Sequence, residues 1–299
     1  MKTIFVTGAT GFLGYNLCRK LDSAGYTIIA CHRNTSQISK LNLLKNIKLF
    51  NLEGNNSKLS TIFSDNKIDC VVHCATSYGK NGPPINVLHT NLTLPFEILE
   101  YAIKFNVDKF INIDSFTSLF KGYPYLPYYH TSKRNFLEWS ETIILNEKIQ
   151  FCTLRLHHMY GPYDSNKKFT SFVIRELLEK RAEIDLTSGE QKRDFIYVDD
   201  VVNVINNLIQ TPEIGFKEIE VGTGVSTSIK EMVKLCARII NNDYTKLNFG
   251  KLKLRANEVM DVCADTEALD SLRIKIDYNL TDGMKSTIKN IEDRLKSNS

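Results

Sequence analysis

Short, mainly apolar runs recur along the first half of the chain, separated by longer segments that mix apolar and polar residues. The runs are residues 3–6, 27–31, 47–50, 70–73, 110–113 and 151–156. Since each of them has apolar residues next to one another, each is typical of a strand that is buried on both faces of a parallel sheet.

The intervening segments repeat their apolar residues at helical spacing. Three such stripes stand out: Leu13, Leu17 and Leu21; then Leu88, Leu92, Phe96, Leu99 and Ile103; then Phe136, Leu137, Ile143 and Ile144. Strands that alternate with helices predict right-handed crossovers. The fold class that follows is α/β, a Rossmann-type doubly wound parallel sheet.

The rhythm changes after residue 160, where Gly161-Pro162 breaks the pattern and longer polar stretches follow. We predict helices near residues 170–180, 200–209 and 229–241, and a final polar helix from residue 281. The chain is therefore expected to form a first domain over residues 1–160 and a smaller lobe over 161–299, with some elements of the lobe returning to the first domain.

A glycine-rich turn joins the first predicted strand to the first predicted helix. Three glycines, each three residues apart, allow a tight turn, close approach of backbone amides to a pyrophosphate, and close packing of helix on sheet. The segment lacks the Gly-Lys-Ser/Thr of a P-loop. It predicts a dinucleotide site in the first domain, formed by Gly8, Thr10, Gly11, Phe12, Leu13 and Gly14.

The end of the second strand indicates which dinucleotide binds. Where an NAD enzyme carries an acidic residue for the ribose 2′-hydroxyl, this chain has His32 and Arg33. A guanidinium can pair with a 2′-phosphate, whereas a carboxylate would repel it, so NADP(H) is favoured over NAD(H) unless Arg33 is only a solvated loop cation. The adenine and ribose would be flanked by Asn51, Leu52, Cys74, Ala75 and Thr76.

Composition excludes several other classes of protein. With 42% hydrophobic residues in 299, the chain can bury a large core, and its net charge of +4 is dispersed, which fits a small anionic ligand better than nucleic acid. The seven cysteines include no Cys-x-x-Cys pair, so we expect reduced thiols and no metal site. Without a long apolar run, a cytoplasmic protein that is not embedded in a membrane is expected.

Tyr129 and Lys133 form the strongest catalytic candidate. Four residues apart on a helix, they share one face, and an ammonium about 4 Å from the phenol supplies roughly the 4 kcal/mol needed to move a tyrosine pKa toward 7. Desolvation of the lysine subtracts from this, so the cationic oxidised nicotinamide is expected to contribute as well. A second match to the same spacing, Tyr163 with Lys167, lies in a predicted loop and is interpreted as accidental.

Together these segments resemble the extended short-chain dehydrogenase/reductase family, the group of sugar-nucleotide epimerases, dehydratases and reductases. The resemblance rests on residues 7–14, Asn91, the Tyr129–Lys133 pair, residues 155–162 and residues 193–200. It covers nearly the whole chain. It implies that residues 1–160 bind the cofactor, with Asn91, Tyr129 and Lys133 among the contacts, and that residues 161–299 mainly bind the substrate.

The resemblance also implies the remaining catalytic residue. Ser115, at the end of the fifth strand, aligns with the family's catalytic Ser or Thr, with Thr117 as the alternative. Dehydratases of the family carry Asp-Glu after that residue, and Phe116-Thr117 stands here instead, which argues against water elimination.

Substrate contacts are implied at several positions, namely Tyr78, Ser115, Tyr129, His158, Arg193 and Arg255. The two arginines would grip a nucleotide diphosphate, although Arg255 could be a surface cation. His158 replaces the family's Asn. It is not expected to bind metal together with His157, because adjacent strand residues face opposite sides.

The cofactor preference then predicts the reaction. An enzyme that consumes NADPH is a net reductase, so we expect reduction of the C4 ketone of an NDP-4-keto-6-deoxyhexose, as in CDP-abequose synthase-type 4-ketoreductases of O-antigen and other surface-polysaccharide biosynthesis. Two alternatives stay open: an NAD-dependent nucleotide-sugar 4-epimerase, and a catalytically silent NADP-binding regulator.

The resemblance also implies a homodimer through helices at residues 87–105 and 129–147, whose apolar stripes could equally be intramolecular core.

Overall fold

The computed structural model describes residues 2–52, 57–80, 82–121 and 125–297. The chain divides into two compact units: Met1–Arg155 with Val202–Ile219, and Leu156–Val201 with Glu220–Ser299. The assignment of cofactor binding to residues 1–160 and of substrate binding mainly to residues 161–299 stays a prediction. Within the described ranges, no helix is long and apolar enough to cross a membrane.

A seven-stranded sheet with the order β10-β6-β5-β4-β1-β2-β3 forms the centre of the fold. Its strands are β1 (Thr3–Thr7), β2 (Thr27–His32), β3 (Ile47–Asn51), β4 (Cys70–His73), β5 (Lys109–Ser115), β6 (Gln150–Leu156) and β10 (Phe216–Val221). The pairings of β1 with β2, β1 with β4, β2 with β3, and β4 with β5 are all parallel. The predicted α/β doubly wound fold is confirmed.

Helices follow the strands of this sheet and cover it. They are α1 (Phe12–Ser23), α2 (Ser57–Asp65), α3 (Pro84–Leu88), α4 (Leu94–Lys104), α5 (Pro127–Ile144) and α7 (Val198–Gln210). The core between sheet and helices is aromatic: Phe110, Phe136 and Phe151 are fully buried, and the rings of Phe110 and Phe151 stack with centroids 5.4 Å apart. Burial on both sides explains the apolar runs of β1, β2 and β4. The prediction that residues 47–50 form a strand buried on both faces is wrong: β3 is half-buried to exposed, because it is the last strand in the order of the sheet.

One predicted helical stripe is wrong in its first turn. Leu88 is 43% exposed, whereas Val87 and Asn91 are buried. The cause is a π-helical turn, His89–Thr93, which joins α3 to α4. A π turn adds a residue to one turn of the helix and rotates the side chains that precede it relative to those that follow.

The second unit has two small sheets and its own core. Its elements are β7 (His158–Tyr160), β8 (Glu183–Leu186), β9 (Lys192–Tyr197), β11 (Ser226–Ser228), β12 (Lys246–Phe249), α6 (Phe169–Leu178), α8 (Ile229–Ile240), α9 (Glu267–Ser271) and α10 (Leu280–Lys296). The sheets have the orders β11-β9-β7 and β12-β8. The helices predicted near residues 170–180 and 229–241 and from residue 281 are confirmed as α6, α8 and α10, and α8 begins with a capping box formed by Ser228 and Glu231.

Candidate active site

The glycine turn after β1 brings the backbone of α1 unusually close to the sheet. Gly8 has φ +64°, and a Cβ there would lie 2.7 Å from the backbone nitrogen of Ala75. A Cβ at Gly14 would lie 2.8 Å from Cα of Ala9. Only glycine fits at these two positions, because the atoms in the way belong to the backbone.

The start of α1 offers backbone amides to an anion. Its N-cap is Gly11, and no side chain in the described ranges caps it, so the N–H groups of the first turn, which includes Phe12 and Leu13, are not taken by a cap. Since a helix N-terminus also carries partial positive charge, this cradle fits the pyrophosphate of a dinucleotide. Thr10 lies in the turn itself and is half-buried.

The ends of β2 and β3 meet at the same edge of the sheet. The N–H of Leu52 donates to the carbonyl of His32 over 3.1 Å, and the side-chain amide of Asn51 contacts Asn34. Arg33 is exposed, and in the described part of the chain no carboxylate forms an ion pair with its guanidinium. The structure thus brings together His32, Arg33, Asn51 and Leu52, as the sequence predicted, next to open solvent.

Asn91 holds the loop after β4 in place. From the π turn, its side chain accepts from the N–H of Ser77 at 2.7 Å and donates to the carbonyl of Ser77 at 2.9 Å and to Oγ of Ser132 at 3.0 Å. Thr76 adds a longer contact of 3.3 Å, and Thr7 fixes the same loop by accepting from the N–H of Ala75. Asn91 therefore clamps the loop that contains Cys74, Ala75 and Thr76 onto α5.

Ser115, Tyr129 and Lys133 meet where β5 ends and α5 begins. The Ser115 side chain lies close enough to the Tyr129 phenol to lower its pKa. Lys133, one helical turn further along α5, is only 2% exposed, and its ammonium donates to the carbonyl of Ile113 over 2.7 Å. Tyr78, 40% exposed, packs its ring against that of Tyr129 with centroids 5.0 Å apart. The predicted catalytic set is therefore assembled in one place.

In the protein chain alone the Tyr129 pKa is raised, and its lowering by Lys133 together with an oxidised nicotinamide stays a prediction. Burial raises the pKa of the phenol well above its ordinary value, and the nearby Tyr78 and Asp114 raise it further, while Ser115 opposes them. Burial also lowers the pKa of Lys133, whose ammonium is already bound to Ile113. Desolvation of both groups outweighs their mutual attraction, so the phenol stays protonated near neutral pH.

A buried carboxylate lies beside this set and was not predicted as a site residue. Asp114, 3% exposed, accepts from Ser118 Oγ at 2.7 Å, and the guanidinium of Arg155 lies 3.9 Å away. Arg155 in turn pairs with Glu218. Asp114 favours the charged form of Lys133. The sequence contained a sign of this pair, because Asp114 and Arg155 stand near the ends of two consecutive apolar strands, β5 and β6.

A second unpredicted residue is His130, the immediate neighbour of Tyr129. Its Nδ1 lies 3.1 Å from Thr117 Oγ1, which lies 2.8 Å from Ser115 Oγ. Thr117, the alternative to Ser115 in the sequence, thus lies beside it, and which of the two hydroxyls is catalytic stays a prediction. His130 could have been predicted as a site residue from the sequence, because it lies between Tyr129 and Lys133.

The remaining predicted substrate residues lie in the second unit. Arg193 is buried, pairs with Glu258 and donates to the carbonyl of Val259. His158 is half-buried, and burial together with Arg193 lowers its pKa to about 3. Arg255 is exposed. The structure therefore gives Arg193 a protein partner that the sequence did not predict.

Two further candidate pairs from the sequence lie as follows. His157 is buried, and its Nε2 lies 2.9 Å from a carboxylate oxygen of Glu220; the expectation that His157 and His158 bind no metal together stays a prediction. Tyr163 and Lys167 lie in an irregular segment before α6, where Tyr163 has φ +70°. The description of that Tyr-x-x-x-Lys match as non-helical is confirmed.

Comparison with known proteins places these features in a family context. The model of the NAD dependent epimerase/dehydratase family matches residues 4–222. The CDP-abequose synthase of Salmonella muenchen is 34% identical over 291 residues, which are 96% of this chain and 97% of that protein. The CDP-abequose synthase of Salmonella typhimurium is 31% identical over 295 residues, 96% of this chain and 98% of that protein.

Solved structures have the same fold at lower identity. The UDP-glucose 4-epimerase of Thermotoga maritima, determined with UDP-glucose, has a TM-score of 0.86 at 23% identity and covers 98% of this chain and 99% of its own. The UDP-glucuronic acid 4-epimerase of Bacillus cereus, determined with UDP-glucuronic acid and NAD, has a TM-score of 0.83 at 24% identity, with the same coverage.

Proposed function

This chain belongs to the NAD-dependent epimerase/dehydratase family and is an NAD(P)-dependent sugar-nucleotide oxidoreductase; from that premise we propose that it uses NADPH to reduce the C4 ketone of an NDP-4-keto-6-deoxyhexose. The observation that carries the proposal is the buried Ser115–Tyr129 pair, in which the phenol is held protonated. A net reduction needs a proton donor in that state. Two relatives named CDP-abequose synthase support a CDP-linked sugar. A role in surface-polysaccharide (O-antigen) biosynthesis is part of the proposal.

The protein's part in this reaction is proton supply and positioning. The reduced nicotinamide supplies the hydride when bound. Tyr129 donates its phenolic proton to the carbonyl oxygen as that oxygen gains the electron pair of the C=O bond, and Ser115 orients the same oxygen. Lys133, fixed by Ile113, lies on the same face of α5 and stabilises the phenolate that results.

The glycine cradle, the loop clamped by Asn91 and the ends of β2 and β3 support the proposed cofactor site. In it, the first-turn amides of α1 hold the pyrophosphate and Arg33 pairs with the 2′-phosphate. We expect Arg33→Ala to weaken NADPH about 10- to 100-fold, because hydrogen bonds to charged groups contribute about 1.5–3 kcal/mol. Affinity for NADH should be unchanged, and Lys67→Ala, an exposed cation before β4, is the matched control. Equal losses for both cofactors would contradict the preference.

The substrate diphosphate is proposed to bind in the second unit, at Arg193 with Arg255 and His158. Arg193 is buried and already holds one carboxylate, that of Glu258, so the site accepts an anion. We propose that the diphosphate takes the place of Glu258 on the guanidinium, which can bind a phosphate through two parallel bonds. Tyr78, beside the phenol, would contact the sugar.

The decisive test offers CDP- and dTDP-4-keto-6-deoxyhexoses with NADPH or NADH and identifies the product by NMR. We expect one NADPH to be consumed per product. Tyr129→Phe should lower kcat by about 10²- to 10⁴-fold. Tyr128→Phe, an exposed neighbour at 55%, is the matched control. Conversion of a UDP-hexose without net cofactor consumption would instead identify a 4-epimerase, and full activity of Tyr129→Phe would favour the silent regulator.

We also propose a homodimer through the helices at residues 87–105 and 129–147. Large apolar side chains are exposed on and beside these helices, among them Leu88 at 43%, Trp139 at 61% and Leu145 at 77%. Covering such a patch is favourable by roughly 25 cal/mol per Å² of apolar surface removed from water. Sedimentation of wild type and Trp139→Glu tests this: a monomeric wild type would contradict the proposal.

A further inference from the structure

A line of three cations runs along the exposed face of α8, in the second unit. Lys230, Lys234 and Arg238 stand four residues apart, so they follow one another along the helix at intervals of about 6 Å. Among the residues that the structure describes, no carboxylate forms an ion pair with any of the three. The carboxylate of Glu231, on the same helix, accepts instead from the backbone N–H and the hydroxyl of Ser228.

Positive charge is concentrated in this part of the chain. Residues 229–255 contain seven Lys or Arg and two Asp or Glu, a net charge of +5, against +4 for the whole chain. The expectation that the excess is dispersed is therefore wrong for this segment. At 0.1 M salt, exposed charges act over a Debye length of about 10 Å, so this surface attracts anions.

The strand beside this line has an edge without a partner strand. In its two-stranded sheet, β12 pairs with β8 along one edge, where the N–H of Lys246 donates to the carbonyl of Ala182 over 2.9 Å. Since successive residues of a strand alternate, the backbone groups of Leu247 and Phe249 point away from β8. Within the described ranges these groups bond to no other backbone or side-chain group. Such an edge can pair with an added strand.

A groove of about 410 Å³ lies between β12 and α8. It is lined by Glu231, Lys234, Ala237, Arg238 and Leu247. Beside it, the ammonium of Lys230 lies 5.4 Å from the ring centroid of Phe249. Because Lys230 lies at Phe249 whereas Arg238 lies at Leu247, the helix and the strand run side by side in opposite directions. The groove thus has an unpaired backbone edge on one side and the line of cations on the other.

We propose that this groove binds an extended acidic peptide segment of a partner protein, which adds a third strand next to β12. Alternate residues of a strand face the same side at intervals of about 6.6–6.8 Å, close to the spacing of the cations. Carboxylates at every second position would therefore meet Lys230, Lys234 and Arg238. Backbone bonds to the edge supply affinity, and the cations select acidic side chains. A nucleic acid or an anionic membrane offers charge without a peptide backbone, so the free edge favours a peptide.

The first experiment measures binding of the labelled peptide Glu-Thr-Glu-Thr-Glu-Thr-Glu to the full chain by fluorescence polarisation. We expect binding that weakens as salt rises, and a loss of about tenfold or more in the double variant Lys234→Glu/Arg238→Glu. Lys285→Glu/Lys289→Glu is the matched control, because it reverses two exposed cations at the same spacing on α10.

The control variant should lose less than about threefold in affinity. Circular dichroism establishes that both variants are folded. Equal losses in the two variants would overturn the proposal, and so would a wild type that binds no peptide at about 1 mM. Neither measurement needs a sugar substrate or cofactor, so the result is independent of the proposed reductase function.

The second experiment tests the added strand. Methylation of the Glu nitrogens and methylation of the Thr nitrogens block opposite edges of the peptide and leave its carboxylates intact. We expect one methylated peptide to bind about tenfold more weakly and the other to keep its affinity. In ¹⁵N-labelled protein, the amide of Leu247 should shift and exchange more slowly when the unmodified peptide binds. An equal effect of the two methylations would overturn the site, as would equal binding of an oligothymidylate or of phosphatidylglycerol vesicles.

Discussion

Replacing Asn91 by Ala tests whether this residue clamps the loop after β4. Asn91 is 1% exposed and makes three hydrogen bonds of 2.7–3.0 Å, two to the backbone of Ser77 and one to Ser132. A bond of this kind contributes about 1 kcal/mol, so Asn91→Ala should lower the free energy of unfolding by about 3 kcal/mol. That corresponds to a change on the order of 100-fold in the folding equilibrium.

The chain provides a probe for this measurement. It contains a single tryptophan, Trp139, which lies on α5 in the same unit as Asn91. Urea unfolding followed by its fluorescence therefore reports the unit that contains the clamp, while circular dichroism reports the whole chain. An unchanged slope against urea would show that the mutation altered stability rather than the surface exposed on unfolding.

Asn66→Ala is the matched control. Its side chain makes one bond of 2.8 Å, to the carbonyl of Ile62, and an exposed contact of 3.5 Å with Lys48. We expect a loss of about 1 kcal/mol or less. The clamp would be refuted if Asn91→Ala cost no more than this control, or if the loss came with unchanged affinity for NADPH, because the clamped loop forms one wall of the proposed cofactor site.

Three other substitutions test separate parts of the structure. Gly14→Ala should lower stability and NADPH affinity despite better helix propensity, since overpacking against the backbone of Ala9 costs about 1–3 kcal/mol and the propensity gain is at most ~1. Lys109→Met should cost about 3 kcal/mol in urea unfolding, because the buried ammonium donates to the carbonyls of Leu208, Ile209 and Thr211 at the end of α7. Burial raises the pKa of Asp164 to about 6, so the folded state binds the extra proton and stability falls as pH rises from about 4 to 6. Asp164→Asn should remove the fall in stability between pH 4 and 6 and raise Tm at pH 8 relative to wild type. If Tm of the variant changed with pH as that of the wild type does, the role of Asp164 would be contradicted.

The sheet and the glycine turn could be predicted because each depends on local chemistry. A strand buried on both faces needs apolar residues at most positions, and that requirement is visible in the sequence of β1, β2 and β4. The turn needs residues without a Cβ, since any side chain at Gly8 would meet Ala75. Similarly, the spacing of Tyr129 and Lys133 places them on one helical face whatever surrounds them.

The π turn at residues 89–93 could not be predicted, because helical periodicity assumes one fixed rotation per residue. With an extra residue in that turn, Val87, Asn91 and Pro95 become the buried series and Leu88 turns outward. The clamp on Ser77 depends on that rotation. Pro95, which has no backbone N–H to donate within a helix, was a sign in the sequence that the helix has an irregularity there.

The charge state of the site depends on contacts between segments that are distant in sequence, which spacing cannot show. The charge of Lys133 was expected to lower the pKa of the Tyr129 phenol. In the folded chain both groups are buried, and the Lys133 ammonium donates a hydrogen bond to the carbonyl of Ile113. A phenol with a raised pKa is protonated near neutral pH, and the protonated phenol is the form that the proposed reduction needs at Tyr129. Since the raised pKa also makes the phenol a weaker acid, the proposed reaction depends on Lys133 and the bound cofactor to stabilise the phenolate as the proton leaves.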